Sequence, residues 1–176
     1  TTLQRMSLTG TLRGSLQSCV QSVRLMNNSM TYEQYLAEHG SLTYTFKGSS
    51  MNPMLREGRD IFAVKAKTAE RCRKYDVVLY RRPPNQYVLH RIIKVRENDY
   101  VIIGDNCVTK EYGIRDEDII GVLTGFVRKG REYSVTDRRY LCYVHLWCDF
   151  LWIRIGLLRL RALAGRVKRK LKGGFW

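Results

Sequence analysis

The sequence predicts a mainly β fold: an antiparallel β domain with short N-terminal helices before it and an amphipathic helix after it. Three observations carry that expectation. Six short runs rich in β-forming residues follow one another between Leu42 and Gly130. Turn signals separate them: REGRD, RRPPNQ, REND and GDN. After Tyr140 the apolar period becomes helical.

The elements follow in order. Residues 1–40 form a helical lead-in. Residues 1–30 are polar and Ser-rich, with room for a short amphipathic helix around Leu16–Leu25. In TYEQYLAEHG, Thr31 and Gln34 have the spacing of a capping box and Gly40 can end the helix, so a helix is expected at 31–39. Residues 41–136 form the β domain, with strands at LTYTFK, DIFAV, DVVLY, YVLHRIIKV, YVII and IIGVLTGFVRKG. In the fourth run Val88, His90 and Ile92 fall on one face, and Leu89, Arg91 and Ile93 on the other.

Residues 137–176 are read as one basic, aromatic C-terminal helix. A bilayer span does not fit YLCYVHLWCDFLWIRIGLLRL. Asp149, Arg154 and Arg159 would each cost about 2.5–3.5 kcal/mol near the bilayer centre, against roughly 0.3–0.6 kcal/mol returned by each Leu, Ile, Val or Phe. A helical wheel places Leu157, Leu160, Leu163, Ala164, Val167 and Leu171 on one face, flanked by Arg159, Arg161, Arg166, Lys168 and Lys170. That pattern suits an anionic membrane interface; docking on the β domain or on a partner is the plainer alternative.

At 176 residues the chain has the length of one domain, and its formal charge is +15. From Arg138 to Trp176 there are ten Lys or Arg residues and one acid, Asp149. Such a tail points to an anionic surface. RNP-like aromatics and zinc-finger spacing are absent, so nucleic acid has only the charge in its favour. The cysteines number five and show no metal-type spacing, so neither a disulfide framework nor a zinc site is indicated, and no cofactor is implied. TTLQRMSLTGTLRG holds no apolar core of signal or anchor length, so a cytoplasmic or peripherally membrane-associated protein is expected.

One ordered set of residues carries chemistry. GSSMNPML at 48–55 is followed by LHRI at 89–92, by GDN at 104–106 and by a distal IIGVLTGF. A serine needs a base to accept its proton, and His90, in mid-strand, is a candidate; His39 and His145 sit in helical segments.

This set resembles the signal peptidase I superfamily, which includes the self-cleaving SOS repressors. The matching residues are Gly48, Ser50, Met51, Pro53 and Leu55, then Gly58 and Asp60 with Arg59 intervening, and the resemblance covers roughly residues 40–128. It implies a serine endopeptidase with Ser50 as nucleophile. The His90-Arg91 pair resembles the histidine-base branch of the endoplasmic reticulum and archaea rather than the lysine branch. The acid expected shortly after Gly-Asp-Asn to orient the histidine is displaced here. Glu111 lies nearest its place; Asp105, Asp116 and Asp118 are alternatives, with Asp105 more naturally bracing the turn.

Where the bacterial enzymes can place an oxyanion hydroxyl, this chain has Gly48, which leaves the backbone N–H of Ser50, with Ser49 and Met51 beside it on the oxyanion or substrate side. The implied substrate is a leader-like or other peptide in extended conformation. The competing readings are a non-catalytic basic module for lipid or nucleic acid, and an SOS-type self-cleaving regulator, which would need a lysine where His90 stands.

Overall fold

The computed structural model describes residues 30–84 and 86–173, with side chains up to residue 165. The helix expected around Leu16–Leu25 lies outside the described residues. Helix α1 spans Tyr32–His39. The Thr31 hydroxyl accepts from Gln34 N–H at 3.2 Å, the Gln34 side chain accepts from Thr31 N–H at 2.9 Å, and Gly40 caps the other end at φ 70°. An N-cap of this kind stabilises a helix by about 1 kcal/mol, and the Gly40 N–H, bonded to Leu36 O, ends it before the first strand.

The strands are β1 (Ser41–Thr45), β2 (Ile61–Ala66), β3 (Val77–Arg82), β4 (Gln86–Val95), β5 (Tyr100–Ile103), β6 (Glu111–Ile114), β7 (Ile119–Arg128) and β8 (Arg131–Ser134). They form one antiparallel sheet in the order β1-β2-β7-β3-β4-β5-β6, with β8 paired to β7. Strands β6 and β8 were not expected from the sequence. Both have four residues, EYGI and REYS, too short and too polar to show a period-2 pattern.

Alternation divides the packing between the two faces of the sheet. Val77, Leu79 and Leu89 point into the larger cluster, with α1, Met51, Met54, Leu55, Phe62 and Tyr140. Val78, Tyr80, Ile92, Tyr100 and Ile102 point into the smaller one. Covering both faces is why VVLY in β3 is buried at four successive positions and reads as a continuous apolar run.

The single C-terminal helix expected from the sequence is two. Helix α2 spans Arg138–Asp149 and α3 spans Leu151–Gly173, with Phe150 between them outside helical geometry at φ −98° and ψ 39°. The axes of α2 and Leu151–Gly165 bend by 77°. Helix α2 buries Tyr140, Val144 and Cys148, a stripe at four-residue spacing. Among the described residues no single helix is long and apolar enough to cross a membrane; the bent pair passes such a test only when taken together.

Candidate active site

The loop after β1 turns two serines outward by anchoring their neighbours. Gly48 has φ 90°, a conformation open mainly to glycine. Ser49 is exposed and Ser50 partly so. Met51, Met54 and Leu55 are at most 1% exposed and lock the loop into the core. Met51, expected on the oxyanion or substrate side, is instead buried in the core cluster and does not line the cleft.

His90 lies on β4, opposite Val78 of β3. It is 4% exposed. Its Nδ1 is 3.0 Å from Glu111 Oε1 and 3.5 Å from the Tyr80 hydroxyl. Its Nε2 has no hydrogen-bond partner among the described residues, Ser50 included. Burial pulls the His90 pKa below the ordinary 6.5, with Arg82 adding to the fall and Glu111 opposing it. The ring is thus neutral at pH 7. With Nδ1–H held by the carboxylate, Nε2 carries the lone pair, the state a general base requires.

Glu111 is itself held in place. Tyr80 donates to Oε2 at 2.8 Å, Arg82 Nε donates to the same oxygen at 3.1 Å, and Arg82 Nη2 donates to Oε1. Burial alone would raise the carboxyl pKa, but these hydrogen bonds and the neighbouring charges bring it below its usual value, so Glu111 is ionised. Of the acids weighed from the sequence, it is the one in contact with His90. Tyr80 and Arg82 went unnoticed there. Only their spacing was legible: β3 positions 78, 80 and 82 share a face, while the register that sets them beside His90 and Val88 comes from the fold.

The Gly-Asp-Asn turn after β5 ties this group to the serine loop. Asn106 N–H donates to Ser50 O at 2.7 Å, and its side-chain amide donates to Ser49 O at 3.2 Å. Gly104 sits at a point of close approach. A Cβ there would lie 2.7 Å from Ser50 O, 2.7 Å from Cys107 Sγ and 2.8 Å from His90 Nε2. These distances bring the serine backbone, the histidine nitrogen and the turn to one point, and only a residue without a side chain fits between them.

Asp105 does not contact His90. It is fully buried and receives two hydrogen bonds from Arg91, at 2.9 and 2.8 Å, and one from the Tyr143 hydroxyl at 2.8 Å. Its role is to brace the turn. Asp116 pairs with Lys67 and Arg71, and the Asp118 carboxylate accepts from Arg115 N–H, so neither serves the histidine. His39 is 3.2 Å from Tyr35 O and His145 is 3.1 Å from Asp149; both lie off the site.

Helix α2 reaches the same turn. Trp147 Nε1–H donates to Asp105 O at 2.9 Å, and the Tyr140 hydroxyl accepts from Arg91 at 2.9 Å. On α3, Arg154 is buried over the Trp147 ring and donates to Gly104 O at 3.4 Å. The first part of the basic C-terminal segment is therefore docked on the β domain. Arg159 and Arg161 are exposed, and the side chains of Arg166 and Lys168 lie outside the described residues.

Ser49, Ser50, His90, Cys107 and Glu111 line one cleft of about 1640 Å³. Comparison of the chain with protein-family models, curated proteins and solved structures finds no match.

Proposed function

We propose that this protein is a serine endopeptidase of signal-peptidase type that cuts an extended peptide with Ser50 as nucleophile, His90 as base and Glu111 as the acid that orients it. The observation that carries the reading is the state of His90: Nδ1 fixed by an ionised carboxylate, Nε2 unpartnered, in a cleft that Ser50 also lines. In this mechanism Ser50 Oγ attacks the scissile carbonyl carbon as its proton passes to His90 Nε2. The tetrahedral intermediate collapses to an ester on Ser50, and His90 returns the proton to the leaving amine. Water then repeats the sequence and frees Ser50. The backbone N–H of Ser50 is assigned to the oxyanion, with Ser49 beside it.

The cleft volume favours a peptide over a small molecule, since small-molecule sites occupy about 300–1,000 Å³. Self-cleavage of the SOS kind is the weaker reading, because the base position holds a histidine whose neighbours suit it. A peripheral contact with an anionic membrane is a second part of the proposal. It is favoured by exposed Trp152, Leu157, Leu160 and Leu163 next to Arg159 and Arg161.

A fluorophosphonate probe tests the catalytic reading without a known substrate. Attack by an activated serine oxygen displaces fluoride and leaves the phosphonyl group on that oxygen. Mass spectrometry is expected to find the adduct on Ser50 in the wild type and to find little in His90→Ala. Equal labelling of the two proteins, or labelling confined to Ser49, would refute the assignment.

A further inference from the structure

We infer that the cleft selects peptides with an acidic side chain close to the cut, and that the C-terminal segment helps make this selection. The inference rests on the peptidase reading and deepens it. The walls of the cleft come from different parts of the chain. Lys47 and Arg56 flank the serine loop, and Trp147, Leu158 and Arg161 bring α2 and α3 to the rim. Of the charges that line it, Arg82 is neutralised by Glu111. Lys47, Arg56 and Arg161 remain, against Glu57 alone.

Among the described residues none of these three cations has a carboxylate partner. All three are exposed at the rim, where a ligand can reach them. Phe46, Val108, Trp147 and Leu158 add apolar surface to the same cleft, beside polar Asn52, Asn106 and Thr109. A cleft whose unpaired charges are mostly of one sign concentrates its field on the ligand, and the chain's net charge of +15 draws anionic ligands toward it. An extended peptide bearing Asp or Glu meets the cations with its side chain and lays apolar neighbours on the walls. The basic tail thus has a part in substrate choice that does not require a membrane.

The test is a binding selection, so it does not depend on catalysis. Ser50→Ala protein is used to select from a randomised peptide library, alongside Ser50→Ala carrying Lys47→Glu and Arg161→Glu. Both added positions are exposed, so thermal melts are expected to match. The parent is expected to enrich Asp and Glu, and the double reversal to lose that preference and favour Lys and Arg. One exposed charge contact is worth about 1.5- to 5-fold in affinity, less as salt rises. Enrichment indifferent to charge, selection unaltered by the reversal, or absence of selected peptides would each overturn the inference. Selected acidic peptides are then offered to the wild type. Cutting that is lost in Ser50→Ala supports both readings; acid-selective binding without cutting refutes the peptidase reading and leaves the acidic-peptide site standing.

Discussion

Replacing Glu111 with glutamine keeps its shape and removes its charge, which isolates what the carboxylate does. Four donors converge on it: His90 Nδ1–H at 3.0 Å, the Tyr80 hydroxyl at 2.8 Å, and two N–H groups of Arg82. A glutamine amide can accept with one oxygen only. If its NH₂ faces His90, Nδ1 must become the acceptor, the proton moves to Nε2, and the base is blocked. If its NH₂ faces Tyr80 and Arg82, a donor meets donors. Loss of the correct tautomer costs about 10⁴-fold in the Ser-His-Asp proteases; here a loss of about 10²–10⁴-fold in Ser50-dependent cleavage is expected.

The charge itself has a separate readout. Glu111 raises the His90 pKa while burial and Arg82 lower it. Glu111→Gln is therefore expected to move that pKa further below 6.5. Long-range ¹H–¹⁵N correlation spectra of the ring, recorded across a pH series, report both the tautomer and the titration. A ring that keeps Nδ1–H and an unchanged or higher pKa in the variant would show that Glu111 does not govern the histidine.

Three further outcomes follow from the same geometry. Gly104→Ala is expected to cut cleavage by about 10²-fold, because its Cβ must push Ser50 O, a backbone atom, away from His90; near-wild-type kcat/KM would mean the three groups need not meet there. Arg91→Ala strands the buried Asp105 carboxylate and is expected to cost about 3–5 kcal/mol in urea unfolding, whereas a loss below 1 kcal/mol would show the pair to be dispensable. Replacing Leu157, Leu160 and Leu163 by serine is expected to abolish sedimentation with anionic liposomes, and salt is expected to weaken the wild-type contact; equal binding to neutral liposomes would remove the electrostatic part of the proposal.

The pH dependence has a definite sign. His90 has a folded pKa below its unfolded value of 6.5. The unfolded chain takes up its proton first as pH falls, so this contribution to stability is complete above 6.5 and is lost below it, down to the folded pKa. The acid limb of the free enzyme's kcat/KM profile is expected below 6.5 for the same reason. An acid limb above 6.5 would contradict a buried, neutral base.

Local signals were the ones legible in the sequence. The Thr31–Gln34 capping box and the long β4 run each involve residues a few positions apart. Glu111 could be favoured as the acid near His90, but its contacts with Tyr80 and Arg82 depend on strand register, which one sequence does not state. Met51 was misplaced because a motif shows which residues surround a nucleophile and not which of them turn inward. The C-terminal segment was read as one helix because its apolar period runs on through Phe150. Across the break, α2 sets Trp147 on the Asp105 turn and α3 sets Arg154 beside Gly104 O, contacts that no local pattern shows. Strands β6 and β8 exist by pairing with β5 and β7 rather than by any pattern of their own.

N-terminal profiling by mass spectrometry tests the proposed Ser50–His90 peptidase most directly. Membrane and soluble proteins from the source cells are incubated with the wild type, with Ser50→Ala and with His90→Ala. New N-termini are expected to appear with the wild type and vanish with both variants, at sites with acidic residues near the cut. New N-termini that persist in Ser50→Ala, or identical profiles for all three proteins, would contradict it.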